Sequence, residues 1–121
     1  MPDNPPSPPP DTTLVVLCTC PTVETARELA AQLVEERLAA CVNILPGVES
    51  VYSWENRIAR DDEVLMLVKT RSDRYPDLER RLHTLHPYEL PEIIAVPVTQ
   101  GLDDYLAWVA AETGDETGIQ K

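Results

Sequence analysis

Residues Cys41–Thr70, CVNILPGVESVYSWENRIARDDEVLMLVKT, decide the fold. Cys41, Val42 and Ile44 bring in β-forming side chains. Val48, Ser50, Tyr52 and Trp54 then alternate with Glu49, Val51, Ser53 and Glu55, the period of two that a strand requires. Pro46-Gly47 between these halves predicts a bulge or kink, making one long bent strand. Asn56 to Glu63 is expected to turn the chain. Val64 to Thr70 is nearly all apolar and predicts a central strand buried on both faces, which completes a hairpin.

On the N-terminal side, Leu14 to Cys20 reads as a buried strand stopped by Pro21. Thr22 is placed to cap a helix with Glu24 in its first turn. Its apolar positions Ala26, Leu29, Ala30, Leu33, Val34 and Leu38 fall on one face. On the C-terminal side, Ser72 or Asp73 starts a second helix, which tolerates Pro76 in its first turn. It buries Tyr75, Leu78, Leu82 and Leu85 before Pro87 stops it. Pro91 opens a last strand through Ile93 to Val96, and Gly101 precedes a helix carrying Leu102, Tyr105, Leu106 and Val109.

The order β-α-β-β-α-β plus a C-terminal helix predicts an α+β, ferredoxin-like domain over residues 13–112, an antiparallel sheet with helices on one face. Residues 1–12 read as a disordered proline-rich lead and 113–121 as a flexible tail. In that topology the second and fourth strands are the sheet edges, and they carry Pro46 and Pro97, as edges permit. Both edges are long and apolar, and copies of the same chain are the simplest cover for them, so a closed homo-oligomer is expected. Tyr52 and Trp54 suit an interface core, or pack within one subunit.

Composition narrows the function. With 121 residues there is room for one core, and since Phe is absent that core is aliphatic. Ten Lys and Arg against 21 Asp and Glu give a net charge of −11, which argues against nucleic acid as a partner. The apolar runs are too short for a membrane-spanning helix, and Met1 to Pro10 lacks the features of a secretory signal. A cytoplasmic protein with its three cysteines reduced is the resulting expectation.

Cys18 and Cys20 stand two apart on a strand and face the same way, so a pair of thiolates there could hold a soft ion such as Cu(I). Both could equally be small apolar fillers, as Cys41 is expected to be. His86 ends the second helix one turn after His83, a spacing open to a metal or to simple helix-end hydrogen bonding. Cys18 with His86 is also the one pairing suited to nucleophilic chemistry, but no third group is clearly placed to orient the base. The segment His86 to Glu92 lies between prolines as a rigid polar loop.

Several stretches, in order, resemble the CutA divalent-cation tolerance family. They are LVVLCT (14–19), ERLAACVNILP (36–46), VYSWE (51–55), Lys69-Thr70, HPYELPEII (86–94) and DYLAW (104–108), within a match over about residues 13–110. The resemblance implies a homotrimer of ferredoxin-like subunits, similar to PII-like signalling proteins, with clefts between neighbours. It also implies no firmly attached reaction, hence no enzyme, and binding of copper or another divalent cation. The family's cysteine and histidine ligands carry over to Cys18 and His86, while Leu85 stands where the family has a second histidine. An alternative is a PII-like trimeric sensor whose inter-subunit cleft, lined by Trp54, Glu55, Lys69, Tyr88 and Glu92, takes a small anionic or neutral ligand.

Overall fold

Thr22 begins the first helix as its residue type demands, with an extended backbone and a hydroxyl that accepts from the Thr25 amide at 3.0 Å. In the computed structural model, which describes residues 7–114, β1 (Thr13–Cys20) leads into this helix, α1 (Val23–Glu35). Then come β2 (Cys41–Trp54), β3 (Arg57–Arg71), a short 3-10 turn (Ser72–Arg74), α2 (Tyr75–Leu85), β4 (Ile93–Pro97) and α3 (Asp103–Glu112). The sheet order is β2-β3-β1-β4 with every pairing antiparallel, so β2 and β4 are the edges. Among the described residues no helix is long and apolar enough to cross a membrane.

One sheet face makes the core. Val16, Cys18 and Cys20 of β1 and Val64, Met66 and Val68 of β3 pack against Ala26, Leu29 and Leu33 of α1 and Leu78 and Leu82 of α2. The α1 stripe is narrower than expected, since Val34 is exposed, and the helix ends at Glu35, two residues before Arg37, whose φ of 60° turns the chain back. Leu38 then donates its amide to Leu33 and buries its side chain beyond the helix end. Thr70 secures this corner by donating its hydroxyl to the Leu38 carbonyl at 2.7 Å.

The hairpin differs from the sequence reading. Asn56 to Glu63 is not a turn: Glu55 and Asn56 alone, with φ of 52° and 66°, make a two-residue connection, and Arg57 already belongs to β3. Left-handed geometry at both residues matches the twist of the strands, which lets the arm run as a long ribbon. The bulge at Pro46-Gly47 is present, with Gly47 at φ 86° and a register shift between Leu45 and Val48. Its effect is positional. Before it Cys41 faces Lys69; after it Ser50 faces Asp61 and Tyr52 faces Ala59, so even-numbered β2 residues move to the side of odd-numbered β3 residues.

The central strand also departs from expectation. From Val64 to Thr70, β3 is buried on its even side only, whereas Leu65 and Leu67 are half-buried. Across the sheet Val15 and Leu17 are half-buried and Leu45, Ile94 and Val96 exposed, so this second face forms an open apolar surface. Nor do all helices share one face: α3 reaches the open side, where Tyr105 lies against Cys41, itself paired with Lys69. Cys41 is therefore a half-buried residue of the open face and not part of the core.

Both chain ends are tied down within the described range. Ser72 donates its amide to the Thr12 carbonyl and its hydroxyl to that of Pro8, and Asp73 donates its amide to Pro10. Arg37 donates to the carbonyls of Ala111 and Gly114, and Thr113 is fully buried. The rest of the expected flexible ends, residues 1–6 and 115–121, lies outside the described residues.

Candidate metal centre

Alternation along β1 turns Cys18 and Cys20 the same way, into the core, where both are fully buried. The proline after His86 stops α2 with His86 already extended, and its ring falls over the end of β1. The two sulfurs and one ring nitrogen of His86 lie within 4.8 Å of one another. Among the described residues this is the one cluster of three such ligands, and His83, exposed on α2, is not in it.

Hydrogen bonding fixes the state of the ring. Nε2–H donates to the Thr19 carbonyl at 2.8 Å, and Nδ1 accepts from the Tyr88 amide at 3.1 Å, so both nitrogens are engaged and the neutral Nε2–H tautomer is the one held. Burial opposes a charge on His86, but bonding to Cys20 and to the Thr19 carbonyl outweighs it, and its pKa rises. Protonation would set Nδ1–H against the Tyr88 N–H and break that bond. The two thiols divide their acidity: hydrogen bonding from Cys18 lowers the pKa of Cys20, while the same contact, with burial, raises that of Cys18. One proton between two sulfurs makes Cys20 the more readily formed thiolate.

Beside this cluster lies a groove of about 810 Å³ between the hairpin arm and the loop after α2, with Thr19, Tyr52, Trp54, Tyr88 and Glu92 among its walls. The β2 bulge is what brings Ser50 and Tyr52 to the side of Asp61 and Glu63. Tyr88 donates its hydroxyl to the buried Glu63 carboxylate at 2.7 Å, and Tyr52 donates to Asp61. Burial, then the Glu63 bond, raises the Tyr88 pKa; the Asp61 bond leads the rise of Tyr52. Asp61, Glu63, Glu89 and Glu92 line the groove together with no Lys or Arg, so its field favours cations.

Of the residues that the sequence singled out, the structure brings Trp54, Tyr88 and Glu92 together in this groove, beside Cys18 and His86, and puts Lys69 and Glu55 outside it. Lys69 is on the open face, donating to Asn43 and lying 3.9 Å from Cys41. Glu55 sits in the hairpin connection and not among the groove walls. Asp61, Glu63 and Tyr52 were not singled out as site residues. The first two are acids followed at once by the apolar run of β3, and that abrupt change of character marks where the strand enters the sheet.

A profile described as CutA1 divalent ion tolerance protein matches residues 14–112. The chain belongs to the CutA1 family. This CutA1 member is 51% identical over 100 residues to the divalent-cation tolerance protein CutA of Thermus thermophilus, a match covering 83% of this chain and 97% of the relative. It is 48% identical over 95 residues to human protein CutA, covering 78% of this chain but 53% of the human protein, so it spans about half the length of that relative. The solved Thermus thermophilus structure superposes with a TM-score of 0.82 at 50% identity, covering 84% of this chain and 99% of that one. CutA from Xylella fastidiosa gives 0.83 at 42% identity, covering 85% and 99%. The α+β architecture is therefore that of solved CutA1 proteins.

Proposed function

We propose that this CutA1 member binds copper or another divalent metal ion through Cys18 and His86, in the cytoplasm, and contributes to metal tolerance without catalysing a reaction. The observation that carries this reading is the convergence of two thiols and one imidazole within 4.8 Å, beside a groove whose carboxylates attract cations. Sulfur and nitrogen donors suit copper or zinc and are poor ligands for magnesium or calcium. His86 becomes a ligand once it releases the Tyr88 amide. The subunits are ferredoxin-like and assemble as a homotrimer through the open apolar face and the sheet edges.

Metal analysis of protein isolated without added ions, followed by equilibrium dialysis against Cu(II) and Zn(II), tests the reading. The expected result is stoichiometric binding that Cys18→Ser abolishes; no uptake of either ion by the intact protein would refute it.

A second reading, a PII-like sensor, is favoured by the size and aromatic walls of the groove. With Lys69 elsewhere and four carboxylates present, its ligand is neutral or cationic rather than anionic. A thermal-shift screen of small neutral and cationic compounds is expected to give stabilisation that rises with concentration and is lost in Tyr88→Ala. Uniformly unchanged melting across the screen would count against it.

A further inference from the structure

We propose that Cys18 and Cys20 together form a two-sulfur site for a soft monovalent ion, Cu(I) or Ag(I), with His86 positioning the site rather than ligating the metal. This rests on the reading that metal binds at this cluster, and differs from it in putting Cys20 in place of His86 as the second ligand and a monovalent ion in place of a divalent one. The first ground is reach. A metal–sulfur bond is about 2.3 Å long, so one ion reaches two sulfurs up to about 4.6 Å apart; the cluster's donor atoms lie within 4.8 Å of one another, and the two thiols are close enough to share a hydrogen bond.

The second ground is a shortage of other donors. Both nitrogens of His86 are already bonded, to Thr19 and to the Tyr88 amide, so the resting ring has no free lone pair. The Glu63 carboxylate is not one of the cluster's donors and accepts instead from Tyr88. Both cysteines are fully buried and His86 nearly so, which leaves little room for water to complete a coordination shell. Zinc at structural sites takes four ligands and Cu(II) prefers a tetragonal set of nitrogen and oxygen, whereas thiolates and thioethers select Cu(I).

A third observation points the same way. Met66 stands directly opposite Cys18 in the β1–β3 pairing, and it too is fully buried, so the wall around the thiols is itself polarizable. Binding is a ligand exchange without electron transfer. An ion arriving as Cu(I) on a weaker thiol carrier forms two Cu–S bonds, its bond to the carrier breaks, and the Cys18 and Cys20 protons pass to the carrier or solvent.

The test uses the full chain under anaerobic conditions, titrated with Cu(I) against a chromophoric Cu(I) chelator, and in parallel with Zn(II) and Cu(II). The expected result is one Cu(I) per chain, held more tightly than either divalent ion. Cys20→Ser should weaken it by more than the roughly 10- to 100-fold that loss of an outer-shell partner costs. His86→Gln should keep the stoichiometry. X-ray absorption on the unaltered protein, which does not depend on any variant folding, should report two sulfur neighbours and no nitrogen. A nitrogen in the first shell, or Cys20→Ser binding like the unaltered chain, overturns the proposal. Tight divalent binding with none of Cu(I) overturns it while leaving the broader function standing, and absence of all metal binding removes both.

Discussion

If the chain assembles as proposed, Leu17→Glu is expected to yield a folded monomer. Leu17 sits mid-sheet on the open face, with Leu67 opposite it on β3 and Ile94 on β4, and Val15 two residues along the same side. Ile94 is 53% exposed and Val96 48%, while Tyr105 and Trp108 of α3, their rings 5.6 Å apart, are also exposed. A continuous apolar surface of this kind is unusual on a monomer and marks an association site. In an assembly that buries this face, a carboxylate at position 17 would be desolvated among leucine, isoleucine and valine, with the nearest cation, Lys69 opposite Val15, already bonded to Asn43, at a cost of several kcal/mol. In a lone subunit it faces water. Sedimentation velocity at micromolar concentration should therefore show a single small species with far-UV dichroism retained. Its melting temperature should be lower, because association no longer stabilises the native state. An unchanged sedimentation coefficient would count against assembly through this face.

Leu82→Ala should destabilise a subunit by about 2–5 kcal/mol. Leu82 is fully buried where α2 meets the sheet, in the same cluster as Cys18, Cys20 and Met66, and interior packing of that kind closes only partly over a lost isobutyl group. The helix it anchors ends at His86, whose amide donates to the Leu82 carbonyl, so loosening α2 also loosens the imidazole over the thiols. Urea denaturation at fixed protein concentration measures it as a lowered midpoint with little change in slope. Leu90→Ala is the control: Leu90 is 72% exposed, so the change should stay within about 0.5 kcal/mol. Equal effects at the two positions would contradict the core described above.

The element order and the two edge strands were legible in the sequence because each rests on a local signal: the Thr22 cap, the spacing of Leu78 and Leu82, and prolines confined to β2 and β4. The hairpin connection was not legible. Glu55-Asn56 lacks the glycine that usually advertises a two-residue turn, and the charged stretch after it resembles a loop because the arm is exposed on both sides. The run Val64 to Thr70 suggested burial on both faces because it is nearly all apolar. One face is covered by α1 and α2, and the other is largely left open within a subunit. At the site, Cys18 and His86 could be paired by motif, whereas the engagement of both imidazole nitrogens and the Tyr88–Glu63 contact depend on how the loop after α2 folds back. That is information about three dimensions that no spacing carries.

The extra residue at Pro46-Gly47 acts as a phase switch in an otherwise regular zigzag. Upstream of it the odd-numbered residues of β2 share a side with the odd-numbered residues of β3, and downstream the even-numbered ones take that place. Since two residues there stand against Val64 alone, trimming one of them would leave Val48 opposite Glu63 and Tyr52 opposite Ala59, so the arm would lose its kink while the phenol and indole kept their side.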